Sequence, residues 1–354
     1  MSHLDQTRKL KVLAATVLVA AAASAASAGL TARVSVDNTW LKPQDDLTAT
    51  VVITNESNRV AYVPREIVPS ALLTNSLFQV TRNGEPVSYL GRLAKRQVPQ
   101  PKDYIGIKPG GSIRGTTELT SHYDMADGGE YVVRFRADLM NTVRMAELEG
   151  EELASTEVSV WRDAPVVGRV VEWERLAAQN AELRPGQEAL STANCTSSRA
   201  STIASAFSSA TSYSTAAKNY LNGKTYSTVG ARYTSWFGAK NSSRFNTVKS
   251  HYSSIENAFL TKSVIVDCGC TDDYYAYVYS NQPYRIYVCN AFWSAPTTGT
   301  DSKAGTLVHE MSHFNVVAAT DDWAYGQSAC RSLASSNAKR AVDNADSHEY
   351  FAEN

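Results

Sequence analysis

The chain has 354 residues, enough for two domains of about 150 residues each. Apolar residues supply 43% and charged residues 19%, ordinary globular usage that excludes a largely disordered chain. With 34 Lys plus Arg against 35 Asp plus Glu, the net charge of −1 lacks the basic excess of a nucleic-acid binder. All five cysteines lie late, at Cys195, Cys268, Cys270, Cys289 and Cys330, so the two parts of the chain obey different rules.

Arg8, Lys9 and Lys11 form a basic start, and residues 12–23 are apolar except for Thr16. The sequence Ala26-Ser27-Ala28 follows, small-x-small as signal peptidase requires. The apolar run is too short for a membrane span, which needs about 20 residues. Residues 1–28 are therefore predicted to be a secretory signal cleaved after Ala28. No later segment reads as a membrane span, and the expected product is exported, extracellular and soluble, with cysteines free to pair.

Residues 29–165 read as all β and sandwich-like. Alternating runs at 32–36, 47–53, 77–81, 87–90, 131–135 and 157–161 are separated by turn signals such as Asn83-Gly84, Pro109-Gly110-Gly111 and Asp127-Gly128-Gly129. His122 is the only histidine of this part, and no cluster of His, Cys and carboxylate accompanies it. No chemistry is expected here. Residues 162–194 read as a connector, with a short helix at 170–178. The polar, turn-prone run at 182–187 suits an exposed processing site, and 166–190 is taken as the linker.

From Cys195 the pattern changes to α+β, mostly helical. Ile203, Phe207, Ala210, Ala217 and Leu221 fall at helical spacings, with Gly223 as the stop. Phe245, Val248, Tyr252, Ile255 and Phe259 mark a second amphipathic helix. Short strands are predicted at 264–266, 275–279 and 284–288, and helical pattern returns from Asp301 to the end.

His309-Glu310-Met311-Ser312-His313 is an HExxH motif. On a helix the two histidines share a face and can hold one metal ion, and neutral imidazole suits Zn²⁺. Glu310 projects beside that ion, where it can take a proton from a bound water and pass it to a leaving amine. No histidine follows His313 until His348, which excludes the elongated metzincin pattern. A carboxylate on the following loop is the economical third ligand, and spacing alone leaves Asp321 and Asp322 equal.

HExxH followed by Thr320-x-Asp322-x-x-Tyr325-Gly326 resembles the aspzincin (deuterolysin-type) zinc metallopeptidases, whose third ligand is an aspartate. The usual motif has a glycine where this chain has Ala319. The resemblance implies a zincin-like fold with a small sheet and a single Zn²⁺ held by His309, His313 and Asp322. It implies Glu310 as general base and Tyr325 as donor to the oxyanion. Further stretches resemble the peptidyl-Lys metalloendopeptidase branch: Arg232-Tyr233-Thr234-Ser235-Trp236-Phe237-Gly238, Ala291-Phe292-Trp293, residues 295–302 and residues 344–351. The resemblance spans about 191–354 and makes the β-rich part a propeptide that inhibits, assists folding, or both.

That branch cuts on the amino side of lysine, and its acidic pair maps onto Asp346 and Glu349. At i and i+3 on a helix, two carboxylates share a face and can reach one ammonium. Read without the resemblance, Asp346 would cap the last helix and Glu349 would be solvated. The resemblance also implies the disulfides Cys195–Cys268 and Cys270–Cys289, leaving Cys330 unpaired and buried; a cysteine zinc site is the alternative. The expected partners are protein or peptide substrates and the propeptide, with no nucleic acid, no membrane and a monomeric state. Two other readings stay open: a broader deuterolysin-like endopeptidase, and a secreted binding protein whose metal site has lapsed. Between Lys108 and Lys218 there is no lysine, so a strictly lysine-specific enzyme does not release itself by cutting near residue 190.

Overall fold

The computed structural model describes residues 29–136, 154–163 and 189–354. The signal at 1–28, the short helix at 170–178 and the processing run at 182–187 lie outside the described residues.

In the first part, the strands Ala154–Ser155, Leu30–Val36, Thr48–Asn55 and Ser112–Glu118 lie side by side in that order. A second sheet runs Trp40–Leu41, Glu157–Arg162, Gly129–Phe135, Phe78–Arg82, Glu85–Pro86. Alternation explains the packing: Leu30, Ala32 and Val34 of one sheet and Tyr131, Val133 and Phe135 of the other belong to one apolar cluster. Asn83 and Gly84 take φ of 49° and 88°, as the two-residue turn between Phe78–Arg82 and Glu85–Pro86 requires. The strand expected at 87–90 does not form. Past Pro86 the Val87 amide still donates to the Val80 carbonyl at 2.9 Å, but the pairing goes no further, and Tyr89 makes only an isolated bridge to Tyr123.

The second part carries eight described helices: α1 (Ser197–Asn222), α2 (Ala231–Phe237), α3 (Ser242–Thr261), α4 (Asn290–Ser294), α5 (Lys303–His313), α6 (Gln327–Ser336), α7 (Ala338–Val342) and α8 (Ala345–Glu353). Helix α1 starts where the Thr196 side chain accepts from the Arg199 amide, and it ends at Gly223. Its buried face carries Ile203, Phe207, Ala210, Ala217 and Leu221, as the spacing predicts. Helix α3 is capped by Asn241 and buries Phe245, Val248, Tyr252, Ile255 and Phe259. Helix α5 runs through the middle of this part, and every residue of it is buried. A Cβ on Gly305 would stand 2.1 Å from Glu353 Oε1 and 2.9 Å from Glu349 Cγ, so glycine lets α8 press against α5.

The sheet of this part runs Leu190–Ala193, Val264–Asp267, Arg285–Val288, Ala276–Tyr279, Arg92–Lys95. Two features differ from expectation. The end of the stretch read as a connector is a strand, Leu190–Ala193, lying parallel to Val264–Asp267. The last strand comes from the β-rich part and pairs antiparallel with Ala276–Tyr279. The molecule is thus α+β, with one strand crossing between its two parts. Disulfides join Cys195 to Cys268 and Cys270 to Cys289, which removes the cysteine zinc site. Cys330 is free and buried on α6.

Candidate metal centre and substrate cleft

Helix α5 presents His309 and His313 one turn apart, and the loop after it turns back to bring Asp322 against both. Their Nε2 atoms lie 3.1 Å apart. Asp322 Oδ1 stands 3.3 Å from His309 Nε2, and Oδ2 stands 3.5 Å from His313 Nε2. The far side of each ring is committed. His313 Nδ1 lies 2.8 Å from the Thr320 carbonyl, and His309 Nδ1 lies 2.8 Å from Asp346 Oδ1. Those neighbours assign N–H to both Nδ1 atoms and leave Nε2 of each ring as the atom that faces an ion. The two Nε2 atoms face each other beside a buried carboxylate whose oxygens have no hydrogen-bond partner. The donor set fits a cation, and two imidazoles with one carboxylate suit a zinc site with an open position.

The sequence left Asp321 and Asp322 equal on spacing. Asp321 turns away and pairs with Arg136 of the β-rich part. Ala319 takes φ of 49°, so the position of the family's glycine does need left-handed backbone, and this chain meets the need with alanine.

Glu310 is fully buried beside the two histidines, and neither carboxylate oxygen makes a hydrogen bond of ordinary geometry. Burial pushes its pKa up to about 8, with His309 opposing and Asp322 reinforcing the shift. Burial acts to lower His309, but Asp322, Asp346 and Glu349 outweigh it and hold the ring well above its ordinary value. His313, with fewer acidic neighbours, is lowered by burial. Tyr325 is buried with its pKa raised by desolvation, so its phenol remains a donor. It donates to the carbonyl of Ala94 at 3.0 Å.

Asp346 and Glu349 sit in the first turns of α8, both buried. Asn344, not Asp346, occupies the cap position, so the reading of Asp346 as cap and Glu349 as a solvated acid does not hold. Between them lies the ammonium of Lys95, 3.0 Å from Asp346 Oδ1 and 2.6 Å from Glu349 Oε2. The rings of Tyr275 and Tyr350 stand 5.3 and 5.9 Å from it. Burial raises Asp346, but Lys95 and His309 overcome it and hold the carboxyl far below its usual range. Glu349 goes the other way, raised by burial despite Lys95. Asp346 also accepts from the Gly326 amide at 2.8 Å. It therefore serves the ammonium, a histidine and the loop at once.

Lys95 and Ala94 belong to the part in which the sequence offered no chemistry. Lone lysines carry no signal in a sequence, and only their placement against two buried carboxylates distinguishes this one.

Residues 220–353 match the family model described as lysine-specific metallo-endopeptidase, the aspzincins. The extracellular protease of Aeromonas hydrophila is 38% identical over 336 residues, 93% of each chain. The peptidyl-Lys metalloendopeptidase of Grifola frondosa is 36% identical over 356 residues, 97% of each chain. A solved zinc peptidase from Grifola frondosa is 51% identical over 45% of this chain and 97% of its own, with a TM-score of 0.43. The chain is a metalloendopeptidase, a hydrolase of peptide bonds. It belongs to the aspzincin family.

Proposed function

We propose that this is a secreted zinc endopeptidase that cuts on the amino side of lysine, with residues 29–165 as its propeptide. The observation that carries the reading is the buried acid pair of Asp346 and Glu349 holding an ammonium beside the histidine and aspartate cluster. His309, His313 and Asp322 would hold Zn²⁺, which supplies a polarised carbonyl and an acidified water when bound. Glu310, aimed into the same space, takes the proton and returns it to the leaving amine. The Tyr325 phenol steadies the carbonyl oxygen as negative charge develops there. The pocket selects lysine because a compact ammonium fits between two carboxylates that approach from one helix face. A guanidinium needs a wider, planar seat.

Export is supported by the amino-terminal pattern and by two disulfides. Among the described residues no helix is long and apolar enough to cross a membrane. Protein or peptide chains are the substrates. The β-rich part is the inhibitor or folding aid of the zymogen, and the enzyme works as a monomer.

The test is hydrolysis of casein by the wild-type enzyme, by a chelated sample reloaded with zinc, and by Glu310→Gln. Wild type and the reloaded sample should be active. Glu310→Gln should bind zinc stoichiometrically yet lose about 100- to 10,000-fold in rate. Full activity in the chelated sample, or in Glu310→Gln, would overturn the mechanism.

A further inference from the structure

Resting on the reading of Asp346 and Glu349 as a lysine pocket, we propose that the strand Arg92–Lys95 is a tethered substrate. It closes the cleft of the full chain, and the bond between Ala94 and Lys95 is the first that the peptidase part cuts in its own precursor.

A cut before lysine makes three demands on one dipeptide. The carbonyl ahead of the bond must meet an oxyanion donor, the nitrogen behind it must meet the proton carrier, and the lysine side chain must fill the acidic pocket. Ala94 and Lys95 meet all three together. The Ala94 carbonyl accepts from the Tyr325 phenol at 3.0 Å. The strand that carries Lys95 packs on α5, the helix that carries Glu310. The Lys95 ammonium lies between Asp346 and Glu349.

The strand is seated as a substrate strand would be, by backbone pairing on an otherwise free sheet edge. Ala94 pairs with Tyr277, Leu93 with Val278 and Arg92 with Tyr279, and the Tyr275 amide donates to the Lys95 carbonyl at 3.0 Å. Side chains hold both flanks. The Arg92 guanidinium lies 4.4 Å over the Tyr277 ring and 3.2 Å from Asp272, and Arg96 lies 4.7 Å over Tyr274. Lys95 is only 1% exposed and its ion-pair partners lie in the peptidase part. A buried ammonium without them would be a heavy penalty, so the lysine is accounted for by the pocket.

The reaction needs water alone. The water oxygen joins the Ala94 carbonyl carbon, the carbon–nitrogen bond to Lys95 breaks, and a proton passes to the Lys95 nitrogen. This cut satisfies the lysine preference, whereas a cut near residue 190 does not, because no lysine lies between Lys108 and Lys218. Self-cleavage therefore begins inside the β-rich part and frees the cleft, and separation at the linker is a later event.

The test starts from the full chain purified with chelator. Zinc is added, and new amino termini are followed by mass spectrometry at several protein concentrations, with a soluble lysyl peptide as a second substrate. The expected first terminus is Lys95, at a rate independent of protein concentration. Lys95→Met should lack that terminus, and its uncut chain should hydrolyse the lysyl peptide at least about tenfold faster than the uncut wild-type chain. In the inactive Glu310→Gln chain, amides of Ala276–Tyr279 should be protected from hydrogen exchange, and adding Lys95→Glu should remove that protection. A wild-type chain that cleaves the lysyl peptide but is first cut elsewhere overturns this proposal and leaves the lysine reading standing. A chain that cleaves neither overturns both. Unchanged exchange in the Lys95→Glu chain overturns the seating of the strand.

Discussion

Glu349→Gln removes one carboxylate charge from the cleft at nearly constant shape. In the structure Glu349 Oε2 stands 2.6 Å from the bound ammonium, while Asp346 Oδ1 stands 3.0 Å away on the other side. Breaking a fully buried ion pair costs about 3–5 kcal/mol. Asp346 remains and the glutamine oxygen still accepts, so the loss should fall at about 2–3 kcal/mol, roughly 30- to 150-fold in kcat/KM. The assay compares two peptides that differ only in lysine or norleucine after the scissile bond. The lysine peptide should lose that factor, the norleucine peptide should change little, and zinc content should stay at the wild-type value. Glu349 suits this test better than Asp346, which also faces His309 Nδ1 and accepts from the Gly326 amide. Asp346→Ala should therefore disturb metal retention as well as lysine preference. An unchanged ratio of lysine to norleucine rates in Glu349→Gln would refute the pocket.

Tyr325→Phe should lower kcat about 100- to 1,000-fold with KM and zinc content little changed, because the phenol acts on the carbonyl oxygen rather than on the ground-state pocket. A loss confined to KM would contradict that role. The half-buried His251 ring and the buried His348 ring, 3.0 Å apart, are lowered by desolvation to about 4 and about 3 respectively. Their folded pKa values lie below the unfolded value of about 6.5, so their stabilising contribution is complete above it and is lost as pH falls toward the folded values. Wild type should therefore lose about 2 kcal/mol more stability than His251→Leu between about pH 7 and about pH 5, read from urea midpoints. Equal losses would refute the neutral histidine pair.

The sequence made the helices legible wherever a face was apolar at intervals of three and four. Phe245, Val248, Tyr252, Ile255 and Phe259 lie buried along α3. His309 and His313 were legible for the same reason, since the helical repeat alone puts them on one side. Asp322 was separable from Asp321 only by resemblance, because the choice depends on a loop that turns Asp321 toward Arg136, 185 residues away. The strand Arg92–Lys95 was not legible. Its four residues carry no alternation, Leu93 and Ala94 and Lys95 are all buried, and its partner strand lies far along the chain. The contact of Asp346 with His309 was hidden too, for it depends on how closely α8 approaches α5 across Gly305.

On the proposed function, the metal cluster and the acid pair together make an endopeptidase that cuts before lysine. Its most direct test is the set of new amino termini released from a denatured protein mixture by the zinc-loaded enzyme. Lysine should dominate the first position of those termini, and a chelator should abolish them. Termini spread over many residue types, or cuts that persist in chelator, would contradict it.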